Sequence, residues 1–255
     1  MPFRVSAISY LNTVPFVYGL QNHPVSRHID LEFSTPAKSA EKLIKGYTDI
    51  SIVPVAVIPQ VENNLIFSDY CIGATGKVAS VILCSGVPLN EIHTIYLDSE
   101  SRTSVLLTKL LADRFWKLRP EYVSFNFADS RLNTDMSYLL IGDKALRHCG
   151  EFRYVYDLAE EWIKFTSLPF VFACWASNKD LDSSFVAEFN EALKFGVNNI
   201  DKAVEKYTNG FEREYALRYL ADNVSFNLSA DKRKGLAEFW SLALEELKSK
   251  VRWFG

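Results

Sequence analysis

The 255-residue sequence lacks most of the signatures by which catalytic and metal-binding chains announce themselves. It contains no H-E-x-x-H, G-x-S-x-G, G-x-G-x-x-G or EF-hand pattern. It has only four histidines, His23, His28, His93 and His148, in polar, turn-like stretches without a ligand partner at metal-binding spacing. These absences speak against the common zinc hydrolases, dinucleotide enzymes and serine hydrolases. Its four cysteines, Cys71, Cys84, Cys149 and Cys174, form no C-x-x-C pair and no zinc-finger spacing. Cys84 and Cys174 lie in apolar runs and are expected to be buried, reduced thiols. No apolar run approaches the ~20 residues needed to span a bilayer. The longest, Val78–Cys84, has strand length. The N-terminal Met-Pro-Phe-Arg-Val-Ser-Ala-Ile-Ser lacks the charged and apolar regions of a signal peptide, so a cytoplasmic location is expected. A basic surplus is missing too. The 28 Lys and Arg against 31 Asp and Glu leave a net charge of -3, which argues against a nucleic-acid partner. A small anionic ligand stays compatible, because helix dipoles and a single arginine can hold one.

What is present is an ordinary globular balance, 48% hydrophobic and 23% charged, enough for one large domain or two lobes. Short apolar strands alternate with helical patterns over the first ~175 residues, which predicts an α/β fold. Strands are expected at Arg4–Ser9, Leu31–Ser34, Asp49–Val53, Leu65–Phe67, Cys71–Ala74, Val78–Ser85 and Thr94–Leu97, then Val123–Phe127, Tyr138–Ile141, Arg153–Tyr156 and Phe170–Ala176. Thr35-Pro36 should open a helix that Gly46 ends, with Thr35 as N-cap and Pro36 in the first helical position. A long helix is expected from Ser101 to about Trp116. After Asp180 the period is helical almost to the C-terminus. With no linker between halves, the chain is expected to cross between two lobes twice. Val78–Ser85 and Phe170–Ala176 would be the crossovers, giving one lobe of residues 1–84 plus 176–255 and a second of 85–175. That is the hinge-bending plan of ligand-closing proteins.

Four segments could carry chemistry. Ser9, Tyr10, Asn12 and Thr13 follow the first strand, at the carboxyl end where open α/β sheets bind ligands. Asn12 offers a donor and an acceptor, and the same residue types also serve as N-caps. Ser101, Arg102, Thr103 and Ser104 sit where the long helix begins. That is an anion site by its free N–H groups and dipole, or a capping box with a solvated arginine. Gly142-Asp143 joins a strand to a helix, and Asp143 could cap that helix or meet a ligand hydroxyl. Leu168–Trp175 concentrates aromatics, mostly for the core.

These segments, in this order, resemble the chorismate dehydratases of the futalosine route to menaquinone. The resemblance rests on Ser9-Tyr10-Leu11-Asn12-Thr13-Val14-Pro15, Asp49-Ile50-Ser51-Ile52-Val53-Pro54-Val55 and Gly76-Lys77-Val78-Ala79-Ser80-Val81. It continues through Ser101-Arg102-Thr103-Ser104, Ile141-Gly142-Asp143-Lys144-Ala145-Leu146 and Leu168-Pro169-Phe170-Val171-Phe172-Ala173-Cys174-Trp175. It implies a type II periplasmic-binding-protein-like fold, two lobes with mixed sheets and an interlobe cleft, and a dicarboxylate substrate, chorismate, dehydrated to 3-enolpyruvylbenzoate. No metal and no redox cofactor is implied. Asn12 and Asp143 are the candidate catalytic residues. Ser9, Tyr10, Ser80, Ser101, Arg102, Thr103, Ser104 and Gly142 are the candidate substrate contacts. Ala159 and Ser167 stand where the family often has glycine, so altered local backbone is expected there. A non-catalytic carboxylate-binding module on the same fold would use the same helix-start site. The sister enzyme that makes a dihydroxynaphthoate shares the fold, but its opening signature is rich in Cys and Pro, unlike Ser9–Pro15.

Overall fold

Alternating side chains make Phe3–Ile8 a strand (β1), whose last four residues are fully enclosed. In the computed structural model, which describes residues 1–127, 131–208, 210–243 and 251–254, it is followed by helix α1 (Val14–Asn22) and strand β2 (Ile29–Ser34). Helix α2 (Pro36–Ile44) begins as the sequence predicts. The Thr35 hydroxyl accepts the Lys38 N–H, Pro36 takes the first position, and Gly46 follows the end at φ +70°. Strands β3 (Ile50–Pro54), β4 (Leu65–Ala74), β5 (Val81–Ser85) and β6 (Thr94–Asp98) precede helix α3 (Thr103–Leu110), which widens into a π-helical turn over Leu111–Trp116. Next come β7 (Glu121–Phe125), β8 (Ser137–Ile141), α4 (Gly142–His148), β9 (Tyr154–Asp157), α5 (Leu158–Thr166) and β10 (Phe170–Ser177). Helices α6 (Ser183–Val197), α7 (Ile200–Lys206) and α8 (Arg213–Asp222), strand β11 (Ser225–Asn227), helix α9 (Ala230–Ala243) and strand β12 (Arg252–Trp253) complete the chain.

The strands form two mixed sheets. The first has the order β11-β4-β10-β3-β1-β2, with β12 also paired to β4; the second has the order β7-β6-β8-β5-β9. In the first sheet β1 runs parallel to β2 and β3, and β10 runs antiparallel to β3 and β4. The chain therefore leaves the first sheet in residues 75–80 and returns in residues 167–169. This differs from the expected boundaries at 84/85 and 175/176, which cut through β5 and β10. Each of those strands belongs wholly to one sheet, β5 between β8 and β9, and β10 between β4 and β3. Both are buried along their whole length. An unbroken apolar run reports burial on two faces, but not which sheet is being buried.

Asp157 anchors the first crossing. Its carboxylate accepts N–H bonds from Val78 and Ala79 in the crossing and from Ala159 and Glu160 at the start of α5. Ser167, in the return crossing, adopts φ +60°, a left-handed conformation that favours glycine. Ala159 is an ordinary helical residue. Leu65–Phe67 and Cys71–Ala74 are one bulged strand, and Asn223–Asn227 contains a short strand that the sequence gives no alternation to reveal.

Helices α1, α6, α7 and α8 pack on one face of the first sheet around Phe16, Trp175 and Phe189. The core on its other face runs on into the second sheet, through Trp162, Phe170 and Phe239. Fully burying such an aromatic ring is worth on the order of 2–3 kcal/mol. Cys71, Cys84 and Cys174 are buried and all four thiols are unbridged. Burial pushes the Cys71 thiol up to about 11 and the Cys84 thiol up to about 12, which keeps both protonated. Among the described residues no helix is long and apolar enough to cross a membrane.

Candidate functional site

The two sheets face each other across a cavity with about 490 Å³ of atom-free space, partly open to solvent. Its first-sheet wall comes from Ile8, the Tyr10–Thr13 turn, Pro54, Ile72 and Phe172. Its second-sheet wall comes from Val81, the start of α3 and the β8–α4 junction. The floor is apolar and the polar groups sit on two opposed turns.

The first turn exists because β1 ends at Ile8 and the chain reverses. The Thr13 N–H donates to the Tyr10 carbonyl, and the Thr13 hydroxyl donates to the carbonyls of Ile8 and Tyr10. Thr13 is thus committed to the turn, and Asn12 faces the cavity. The Asn12 side chain also hydrogen-bonds the Tyr219 hydroxyl, which in turn donates to Ser80 Oγ at 2.8 Å. Burial raises the Tyr219 pKa and keeps it a neutral phenol. Tyr219 comes from α8, in the helical half of the chain, and nothing in its sequence surroundings marks it.

The opposed turn is the start of α3. No side chain caps this helix and no acid lies in its first turn, so the capping-box alternative falls away. Ser101, Arg102, Thr103 and Ser104 all line the cavity. The Thr103 hydroxyl is already used. It accepts the Ala56 N–H at 3.2 Å and donates to the Phe172 carbonyl at 3.2 Å, tying α3 to the first sheet. Among the described residues no partner engages the hydroxyls of Ser101 and Ser104. Arg102 is exposed and, among the described residues, is the single charged residue of the wall.

Gly142 forms the third side. Its φ is +60°, and a Cβ there would lie 2.6 Å from Cδ2 and Cε2 of Tyr10. Glycine is needed both for the backbone and for the ring to come this close. The Tyr10 hydroxyl then reaches Glu100 Oε2 at 3.1 Å, so this side chain spans the cleft.

Three expected site residues stand elsewhere. Ser9 is exposed beside the cavity, held by its N–H to the Ser34 carbonyl at 3.3 Å. Ser80 is fully buried. Its carbonyl accepts the Gly142 N–H at 2.7 Å and its hydroxyl the Tyr219 proton, so it supports the wall from behind. Asp143 neither caps α4 nor lines the cavity. Its Oδ1 accepts the Leu11 N–H at 2.9 Å, across the cleft. The side chains of Ser80 and Asp143 are engaged with Tyr219 and the Leu11 N–H.

The sequence profile of a family described as menaquinone biosynthesis matches residues 3–245. A chorismate dehydratase from Thermus thermophilus is 26% identical over 255 residues, covering 88% of this chain and 94% of its own. Among solved structures, a protein from Archaeoglobus fulgidus superposes with a TM-score of 0.76 at 18% identity, covering 95% of this chain and 96% of its own. The periplasmic aliphatic sulphonate-binding protein of Escherichia coli superposes with a TM-score of 0.61 at 13% identity, covering 97% and 95%. The fold is therefore periplasmic-binding-protein-like. By the match along almost its whole length, the chain belongs to the menaquinone-biosynthesis family.

Proposed function

We propose that this protein is a chorismate dehydratase, a carbon–oxygen lyase that converts chorismate to 3-[(1-carboxyvinyl)oxy]benzoate and water in the futalosine route, working in the cytoplasm. The observation that carries the reading is the cavity itself. An uncapped helix start with two unengaged serine hydroxyls faces a primary amide across an apolar floor. An unsaturated ring with carboxylates at its edge fits that pattern of polar ends and apolar middle.

The reaction takes the proton from the ring carbon bearing the enolpyruvyl ether and expels the neighbouring hydroxyl. The ring becomes aromatic, which drives the step. During deprotonation, charge spreads into the ring carboxylate. The N–H groups at the start of α3, with Ser101 and Ser104, are placed to stabilise it. Arg102 supplies the counter-charge at the cavity wall. Asn12, its amide held by Tyr219, meets the second carboxylate or the departing oxygen without adding charge. No carboxylate side chain lines the cavity among the described residues, which favours the substrate's own enolpyruvyl carboxylate as the base. Asp143 then serves as a positioning residue, holding the Leu11 backbone next to Asn12. The units built on the two sheets act as lobes that open about residues 75–80 and 167–169.

Incubation with chorismate, followed by ultraviolet spectra and mass, tests this. Loss of one water from the substrate is expected. Binding without conversion would make the protein a carboxylate-binding module, and neither binding nor conversion would remove the reading.

A further inference from the structure

Expelling hydroxide into an apolar cavity is costly, because it is a strong base and a poor leaving group. A proton donor at the cavity wall lowers that cost. An arginine of the wall is not deprotonated in proteins, and among the described residues the wall hydroxyls of Ser101 and Ser104 have no proton source behind them. The Tyr10 hydroxyl does, since it leads through Glu100 to an ammonium.

Behind Tyr10 lies a polar chain that the reading above does not use. Tyr10 Oη donates to Glu100 Oε2 at 3.1 Å. The same Oε2 accepts from Lys144 Nζ at 2.8 Å. Lys144 Nζ also lies 2.6 Å from Asp98 Oδ2, an oxygen with no well-angled hydrogen bond of its own. The Asp98 side chain is 1% exposed and that of Lys144 17%. Asp98 Oδ1 accepts the Glu100 N–H at 3.0 Å, and the Phe127 ring covers Lys144 at 5.5 Å. A half-buried ammonium with two carboxylates and an aromatic face is a large outlay for a loop that a single hydrogen bond could hold.

We propose that Tyr10 protonates the departing hydroxyl and that Lys144, acting through Glu100, resupplies Tyr10. The inference rests on the chorismate-dehydration reading. The ring C–O bond breaks with its electron pair on oxygen. That oxygen takes the phenolic proton and leaves as water. Tyr10 Oη takes a proton through Glu100 Oε2 from the Lys144 ammonium, leaving a neutral amine. The base carries the ring proton to solvent, and Lys144 recovers one through its exposed edge.

The surroundings of Tyr10 dictate how the two transfers are timed. Burial, then Glu100, Asp98 and Asp143, raise the Tyr10 pKa, so a standing phenolate is disfavoured and the two transfers go together. Hydroxide is a far stronger base than any amine, so the overall transfer of a proton from an ammonium to the departing oxygen is downhill.

The test compares chorismate with an analogue carrying fluorine in place of the departing hydroxyl, a group that leaves without a proton. Tyr10→Phe should lower kcat on chorismate at least about 100-fold, with KM changed less than about threefold, and should turn over the fluoro analogue at close to the parental rate. Lys144→Arg keeps the charge but not a transferable proton, so kcat on chorismate should fall while KM holds. Parental kcat in Tyr10→Phe overturns the proposal. So does an equal loss on both substrates, which would mark Tyr10 and Lys144 as structural. If the parent protein leaves chorismate unchanged, the activity reading itself falls and takes the relay with it.

Discussion

Gly142 has no room for a side chain because the ring of Tyr10 occupies the place of its Cβ, 2.6 Å away, from the opposite side of the cleft. Gly142→Ala should therefore act twice. The left-handed backbone costs about 1–2 kcal/mol with any Cβ, and the displaced ring loses its hold on Glu100. We expect a lower melting temperature together with a fall in kcat/KM. A variant that melts earlier but keeps parental kcat/KM would show that the Tyr10 contact matters only to stability.

Asn12 and Tyr219 form a unit in which the phenol fixes the amide. Asn12→Ala should fold normally, bind chorismate within about tenfold of the parent, and lose at least ~100-fold in turnover, the scale for one transition-state donor. Asn12→Asp should be as poor, since its carboxylate repels those of the substrate. Tyr219→Phe should give a smaller loss in kcat with little change in KM, because the amide keeps its chemistry but not its aim. Steady-state kinetics of the three variants decides this.

Thr103 and Ser104 are adjacent and should behave differently. Thr103→Ala leaves the buried Ala56 N–H without its acceptor, which costs about 1–3 kcal/mol in unfolding experiments. Ser104→Ala removes a hydroxyl that has no partner among the described residues, and it should weaken chorismate binding with little change in stability. Denaturant titration and calorimetric binding on both variants separate the roles.

Asp49 sets an acid limit to stability. Burial pushes its pKa up, but ion pairs with Arg4 and Lys179 at 2.7 Å each, and the Arg4 N–H, outweigh burial and hold it well below the usual carboxylate range. A carboxylate with a depressed folded-state pKa stabilises fully above its unfolded value of about 3.9, and the contribution fades as pH falls toward the folded value. Asp49→Asn should cost about 1–3 kcal/mol at pH 7, and the gap to the parent should close as unfolding is followed from pH 5 toward pH 2. A gap independent of pH would show that shape, and not charge, is what Asp49 supplies.

Residue order alone is enough to place the local elements and to supply the chemistry of the turns. Alternation and capping placed β1, β2 and α2 within a residue or two, because side-chain period and cap geometry are local properties. The turn after β1 and the start of α3 were legible as polar groups at strand ends, and seven of the ten expected site residues line the cavity. Tertiary structure alone decided which sheet β5 and β10 join, since a strand buried on both faces carries no mark of its neighbours. It decided that Thr103 spends its hydroxyl on Ala56 and Phe172, and that Ser80 faces Tyr219 instead of the cavity. It also brought Tyr219 to Asn12 across 207 positions of chain and Glu100 to Tyr10 across 90. Residue type and spacing fix what a side chain can bond to, and the packing of distant segments fixes which partner it finds.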